Sequence, residues 1–114
     1  MPKGISLHIG LNRVSRWHYR GWTGDLNACE ADAEDMQRLA LSQGYQASIL
    51  KTRQATRENV TQGIQAAAQT CEPGDIFLLT YSGHGGQVPD SNHDEDDKVD
   101  ETWVLYDGEL IDDE

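Results

Sequence analysis

Three short apolar runs punctuate the chain: "ISLHIGL" (5–11), "YQASIL" (45–50) and "DIFLLTY" (75–81). Each has the length of a strand, and between them the apolar spacing changes to three and four. Leu26, Cys29, Ala33, Met36 and Ala40 fall on one face of a helix beginning near Asn27. Asn27 followed by Glu30 reads as a capping box, and Gly44 stands where a left-handed residue would end that helix. Thr56 caps a second predicted helix, with Glu58 near its positive end and Val60, Ile64, Ala67 and Ala68 turned inward. The "EPGD" stretch (72–75) is a turn, and "TWVLYDGEL" (102–110) reads as a strand or hairpin around Asp107–Gly108.

The order is therefore β-α-β-α-β. "DIFLLTY" is apolar on both faces, which indicates a parallel sheet covered by helices on both sides. Right-handed crossovers place the first strand between the other two, so the winding reverses across it. Ligands of open α/β sheets bind at such a reversal, beyond the carboxyl ends of the strands. Two loops leave that rim: 12–25 with the start of the first helix, and 82–101.

The chain has 114 residues, which allows one domain, 1–114, with a modest core. Its formal charge of −11 is unevenly placed: residues 72–114 hold one lysine, Lys98, against fourteen acids. Such a chain repels nucleic acid and anionic lipid, so neither is an expected partner, whereas a hard cation or a basic substrate suits it. The loop "NRVSRWHYRGWTGD" (12–25) is basic and aromatic, but against this charge it reads as a packed or ligand-facing loop. No stretch approaches the ~20 apolar residues that span a bilayer, and the start lacks the apolar run of a secretory signal. A cytoplasmic location is expected, with Cys29 and Cys71 as free thiols.

The third strand runs into "YSGHGGQ" (81–87). Ser82, Gly83, Gly85 and Gly86 leave the imidazole of His84 unshielded, and glycine lets backbone N–H groups approach a ligand closely. An imidazole beside free N–H donors suits acyl transfer, as base or acid next to an oxyanion hole. The same residues also fit a structural loop histidine, and the pattern itself supplies no nucleophile. Ser82 lies near His84 without any mark of activation. Cys29, in the first turn of the first helix, is either a packed thiol or one whose pKa the helix dipole lowers.

"SGHGGQ", "DEDDKVDETWVLYD" and "ELIDDE", together with "IGLN", "LNACEADAEDMQRL" and "ATRENV", resemble ordered blocks of metacaspases and bacterial caspase-like peptidases, the orthocaspases. The resemblance runs from residue 4 to 114. It implies a caspase-like three-layer α/β fold, with a mostly parallel sheet and helices on both faces. It also implies a cysteine endopeptidase that cleaves after arginine or lysine through a Cys-His dyad. His84 matches the catalytic histidine and Gly85 the backbone oxyanion donor. Cys29, Asp32 and Ser82 match the pocket for the basic residue. The family's nucleophilic cysteine lies on the next strand, in an Asp-Ser-Cys-His type motif downstream of "DDE". The chain is accordingly expected to be truncated before that strand and inactive alone, with the remaining C-terminal part of the domain and basic peptides as its partners.

Residues 90–114 contain twelve Asp/Glu. An EF-hand reading fails, because "DEDDKVD" puts Lys98 at the fifth position and offers no glycine at the sixth. Zinc through His84 and His93 has no supporting cysteine pattern. The resemblance implies a Ca2+ site at Asp100, Asp112 and Asp113, with a further ligand beyond Glu114. Asp94 to Asp97 read as a solvated loop. Two other readings stay open: a non-catalytic caspase-like interaction module, and Cys29 as the nucleophile.

Overall fold

The computed structural model describes residues 2–89 and 99–111. Strand β1 (Gly4–Gly10) leads through a long loop to helix α1 (Cys29–Ser42). Strand β2 (Gln46–Lys51), helix α2 (Arg57–Thr70) and strand β3 (Ile76–Ser82) follow. A second group of strands comprises β4 (Gly85–Pro89), β5 (Val99–Leu105) and β6 (Gly108–Ile111). The first sheet is parallel in the order β2-β1-β3, the winding expected from the sequence. The second is antiparallel, β4-β5-β6, with its hairpin closing at Asp107–Gly108.

Alternation along β1 assigns each helix to a face. A Cβ on Gly10 would run into Cys29 and Ala33 of α1, whereas one on Gly63 of α2 would meet Leu7 at 2.9 Å. Gly10 and Leu7 differ by an odd number of positions, so α1 and α2 lie on opposite faces. The α2 face is the larger core: Leu7, Ile9, Leu11, Val14, Ala55, Val60, Val104 and Leu105 are buried there. Phe77, Leu79 and Tyr81 of β3 join it, since the register pairs Leu7 with Leu79 and Ile9 with Tyr81. Glycine at 63 weakens α2 intrinsically, but it lets the helix approach Leu7 closely.

The α1 face is built from small and polar groups. His8 is fully buried there, its Nδ1 2.8 Å from Thr80 Oγ1 and its Nε2 2.7 Å from Ser6 Oγ. Hydroxyls can donate or accept, so both ring nitrogens are satisfied. Burial lowers the pKa of His8 below its ordinary 6.5. The unfolded chain therefore binds the proton more readily than the folded one, and stability rises with pH between the lowered value and 6.5. Urea unfolding midpoints should fall on acidification from about pH 7 to about pH 5, and His8→Leu should flatten that slope. An unchanged slope in His8→Leu would assign the titration to another group. Asp75 acts in a separate window. Lys3 Nζ at 2.8 Å and the backbone amides of Lys3 and Glu72 hold its carboxyl down at about 2, so its contribution is present above 3.8 and lost as pH falls through about 2.

Helix ends show where local signals held. Thr56 Oγ1 accepts from the Asn59 amide at 3.1 Å, as a cap should. Gly44 has φ +84°, and the amides of Gly44 and Tyr45 bond to the carbonyls of Leu41 and Ala40. The expected Asn27–Glu30 capping box is absent. Ala28 is the N-cap, and Asn12, just after β1, accepts from the Glu30 amide through Oδ1 at 3.0 Å. The Glu30 carboxylate instead receives the Thr52 hydroxyl, while Thr52 Oγ1 accepts from the Asn12 amide at 3.0 Å. Asn12, Glu30 and Thr52 thus tie the ends of β1 and β2 to the start of α1. Ala68 is exposed rather than inward, because Val60, Ile64 and Ala67 already fill the narrow contact of α2. Along β3, Ile76 at its start is 58 % exposed, and the other residues are partly buried.

Candidate active site

The register that pairs Gly10 with Ser82 brings the ends of β1 and β3 to one rim. Ser82 stays tied to β1, its carbonyl accepting from the Leu11 amide at 3.0 Å. Its hydroxyl donates to Asp32 Oδ2 at 2.8 Å, across fifty positions of sequence. Asp32 lies in the first turn of α1, where the helix dipole favours a carboxylate. A cavity of about 340 Å3 opens beside this pair, lined by Asp32, Asp35, Met36, Thr80, Tyr81 and Ser82 among others. Asp35 pairs with Arg38 on the same helix, while the remaining acceptor capacity of Asp32 can take a guanidinium. Cys29 is 8 % exposed and does not line this cavity. Such burial removes the access that a nucleophile needs. Cys29 and Cys71 are both free thiols, as expected.

His84 follows Ser82 by two residues, and its backbone is clamped. Its carbonyl accepts from the Tyr81 hydroxyl at 2.6 Å and from the Val104 amide at 3.0 Å. Tyr81 also reaches the Val104 carbonyl at 3.2 Å, and its ring stacks on Trp103 with centroids 4.5 Å apart. Burial pushes the Tyr81 phenol up, so it remains a neutral donor at any physiological pH.

The His84 imidazole is held separately. Nε2 lies 2.9 Å from the carbonyl oxygen of Gly24, and the indole of Trp22 sits beside the ring, centroids 5.0 Å apart. A carbonyl can only accept, so Nε2 carries the proton and Nδ1 is the basic nitrogen of the neutral ring. Gly24 has φ +55°, and a side chain there would also strike Trp22. This carbonyl could not be read from the sequence, where "WTGD" (22–25) showed only as part of a loop.

Gly85 opens β4 and is exposed, its pairing partner being Trp103. Directly behind the His84 carbonyl, its backbone is positioned by the same clamp. Of the expected calcium residues, Asp112 and Asp113 lie outside the described residues, and only the backbone of Asp100 falls within them, opposite Val88. Among the described residues no group of three or more His, Cys, Asp or Glu is placed to hold a metal ion.

The family model described as "Caspase domain" matches residues 12–114. The chain belongs to the caspase-domain family. This is a family of cysteine peptidases, and the curated relatives it resembles are metacaspases. Metacaspase-1 of Cryptococcus neoformans is 32 % identical over 98 % of this chain and 26 % of its own length. Metacaspase-1A of Aspergillus terreus is 33 % identical over 98 % of the chain and 30 % of its own length. The chain therefore spans less than a third of these relatives. A crystal structure of protein GSU0716 from Geobacter sulfurreducens is 60 % identical, with a TM-score of 0.91 over 98 % of this chain and 42 % of that one. The parallel sheet with a helix on each face is the fold expected of a caspase domain. No helix among the described residues is long and apolar enough to cross a membrane.

Within this caspase domain, the loop after β1, the start of α1 and the end of β3 converge at one rim. They bring Asp32 to Ser82, and Gly24 to His84. Tyr81, Trp22 and Gly24 support the histidine and were not anticipated. Tyr81 left a trace as a strand-end aromatic three residues before it, and Trp22 as part of the aromatic loop expected at the rim.

Proposed function

We propose that this caspase domain contributes the histidine and the basic-residue pocket of a cysteine endopeptidase that cleaves after arginine or lysine. The observation that carries the reading is the Ser82–Asp32 pair at the strand end that also delivers His84. A carboxylate fixed by a neighbouring hydroxyl is a suitable partner for a guanidinium or ammonium group. The nucleophile is a cysteine on the strand that follows Glu114 in the complete peptidase.

In this reading the thiolate adds to the substrate carbonyl carbon, and the oxyanion takes a hydrogen bond from the Gly85 amide. The imidazolium of His84 then protonates the leaving amine as the C–N bond breaks, giving a thioester. A water deprotonated by His84 hydrolyses that thioester and restores the thiol. The Nε2–Gly24 contact supports Nδ1 as the nitrogen that handles these protons.

The C-terminal part of the domain is proposed to pack along β3. In support, a cavity of about 860 Å3 lies there, lined by Ile64, Leu79, Tyr81, Trp103 and Leu110 among others. Ca2+ is proposed to bind Asp100, Asp112 and Asp113, where its charge would neutralise the acidic segment and order the loops around the histidine.

The complete peptidase should hydrolyse fluorogenic peptides ending in arginine or lysine, and leave those ending in aspartate intact. Calcium should raise the rate, and a chelator should lower it. Asp32→Asn should raise KM for the arginine peptide by about ten-fold or more, the cost of losing a charge-assisted bond. Equal cleavage after aspartate, or an Asp32→Asn enzyme with unchanged KM, would reject the assignment.

A further inference from the structure

We infer that Trp22 is the positioning residue of the site: its indole holds the His84 ring in the one orientation that lets Nε2 donate to Gly24. The inference rests on His84 being the base of the proposed reaction. Three observations carry it. The indole and imidazole centroids are 5.0 Å apart at an interplanar angle of 56°, a packed rather than incidental contact. The indole also folds back over Gly24: a Cβ there would lie 2.5 Å from Trp22 Cη2 and 3.0 Å from His84 Cδ2. One residue thus occupies the space that keeps both partners of the hydrogen bond in place.

The third observation is the anchoring of the indole itself. Tyr19 meets Trp22 edge-on, with centroids 6.0 Å apart, and the Trp22 amide donates to the Tyr19 carbonyl at 3.1 Å. Tyr19 in turn donates its hydroxyl to the Leu105 carbonyl at 2.5 Å, on the strand whose Val104 holds the His84 backbone. The chain of contacts from β5 through Tyr19 and Trp22 to His84 closes on β5 again. The indole remains 47 % exposed, so its burial alone does not explain its place in the loop.

Gly24 is the only polar partner of the His84 ring among the described residues. If the ring turns about χ1 or χ2 away from Gly24, that carbonyl no longer selects the tautomer protonated at Nε2, and both neutral tautomers become available. An aromatic contact of this kind is expected to favour the held orientation by roughly 2- to 10-fold. Removing it should lower kcat by up to about that factor and leave KM close to its original value.

The test is nitrogen-15 NMR of the imidazole side chains at alkaline pH, on this chain and its Trp22→Ala and Trp22→Phe variants. The original chain should show His84 as one tautomer, protonated at Nε2. Trp22→Ala should show averaged shifts from mixed tautomers, and Trp22→Phe, which keeps a flat ring, should restore most of the single-tautomer signature. Backbone amide spectra of each variant report whether the fold persists. If Trp22→Ala does not fold, averaged shifts from mixed tautomers in folded Trp22→Leu support the inference. A His84 signature identical to the original in folded Trp22→Ala, or in Trp22→Leu, overturns it. Because the readout is a tautomer, it stands apart from proteolysis. Tautomer mixing in Trp22→Ala, together with a complete peptidase that cleaves nothing, would sink the peptidase reading and leave intact only the claim that Trp22 holds the His84 ring.

Discussion

Gly10→Ala should destabilise the domain by at least the ~1–3 kcal/mol typical of an overpacked core, and Gly10→Val by more. The reason is space, not backbone conformation. Gly10 ends β1 on the face that carries α1, where an added Cβ would fall onto the Cys29 carbonyl oxygen and lie 2.8 Å from Ala33 Cβ. Neither neighbour is the far end of a flexible side chain, so helix α1 itself must move outward. That movement would also draw Asp32 away from Ser82, which is fixed to β1 through the Leu11 amide. Against a total stability of ~5–15 kcal/mol for a typical domain, the loss is large. Urea unfolding of the two variants measures it. A Gly10→Ala midpoint indistinguishable from that of the original chain would show that the helix-to-sheet spacing is looser than described.

The second large effect concerns chemistry. His84→Ala in the complete peptidase should lower kcat by about 10²- to 10⁴-fold, the contribution of a positioned acid-base group. KM should change little, because the Asp32–Ser82 pair is untouched. The fold should survive, since the ring meets Gly24 and Trp22 on one loop. The stronger constraints, from Tyr81 and the Val104 amide, act on the backbone carbonyl that alanine retains. Circular dichroism and thermal melting alongside the kinetics separate the two effects. Turnover within a few-fold of the original would remove His84 from the reaction.

Most of the first sheet was legible because its signals are local. The apolar runs of β1 and β3, the spacing of Ala33 and Ala40, and the Thr56 cap each reflect neighbours within one element. Strand β4 was missed: "GGQVP" has two glycines and a proline, and pairs with β5 without any alternating pattern of its own. The Asn27–Glu30 cap failed for a related reason. Asn12, eighteen residues away, reached the Glu30 amide first, and tertiary contact overrode the local signal. The site divides in the same way. His84 stood out among its glycines, but the Gly24 carbonyl that sets its tautomer belongs to the backbone, which leaves no mark in a sequence. Asp32 and Ser82 were joined by family resemblance, since nothing in their spacing announces the 2.8 Å bond.

The decisive measurement is a crystal structure of the complete peptidase bound to an arginine-directed, thiol-reactive inhibitor. The account predicts the guanidinium on the Asp32 carboxylate and Ser82 hydroxyl, with the imidazole of His84, still bonded to Gly24, within hydrogen-bond reach of the reacting centre. An inhibitor whose guanidinium lies away from Asp32, or whose reactive carbon is bonded at a place the His84 ring cannot reach, would contradict it.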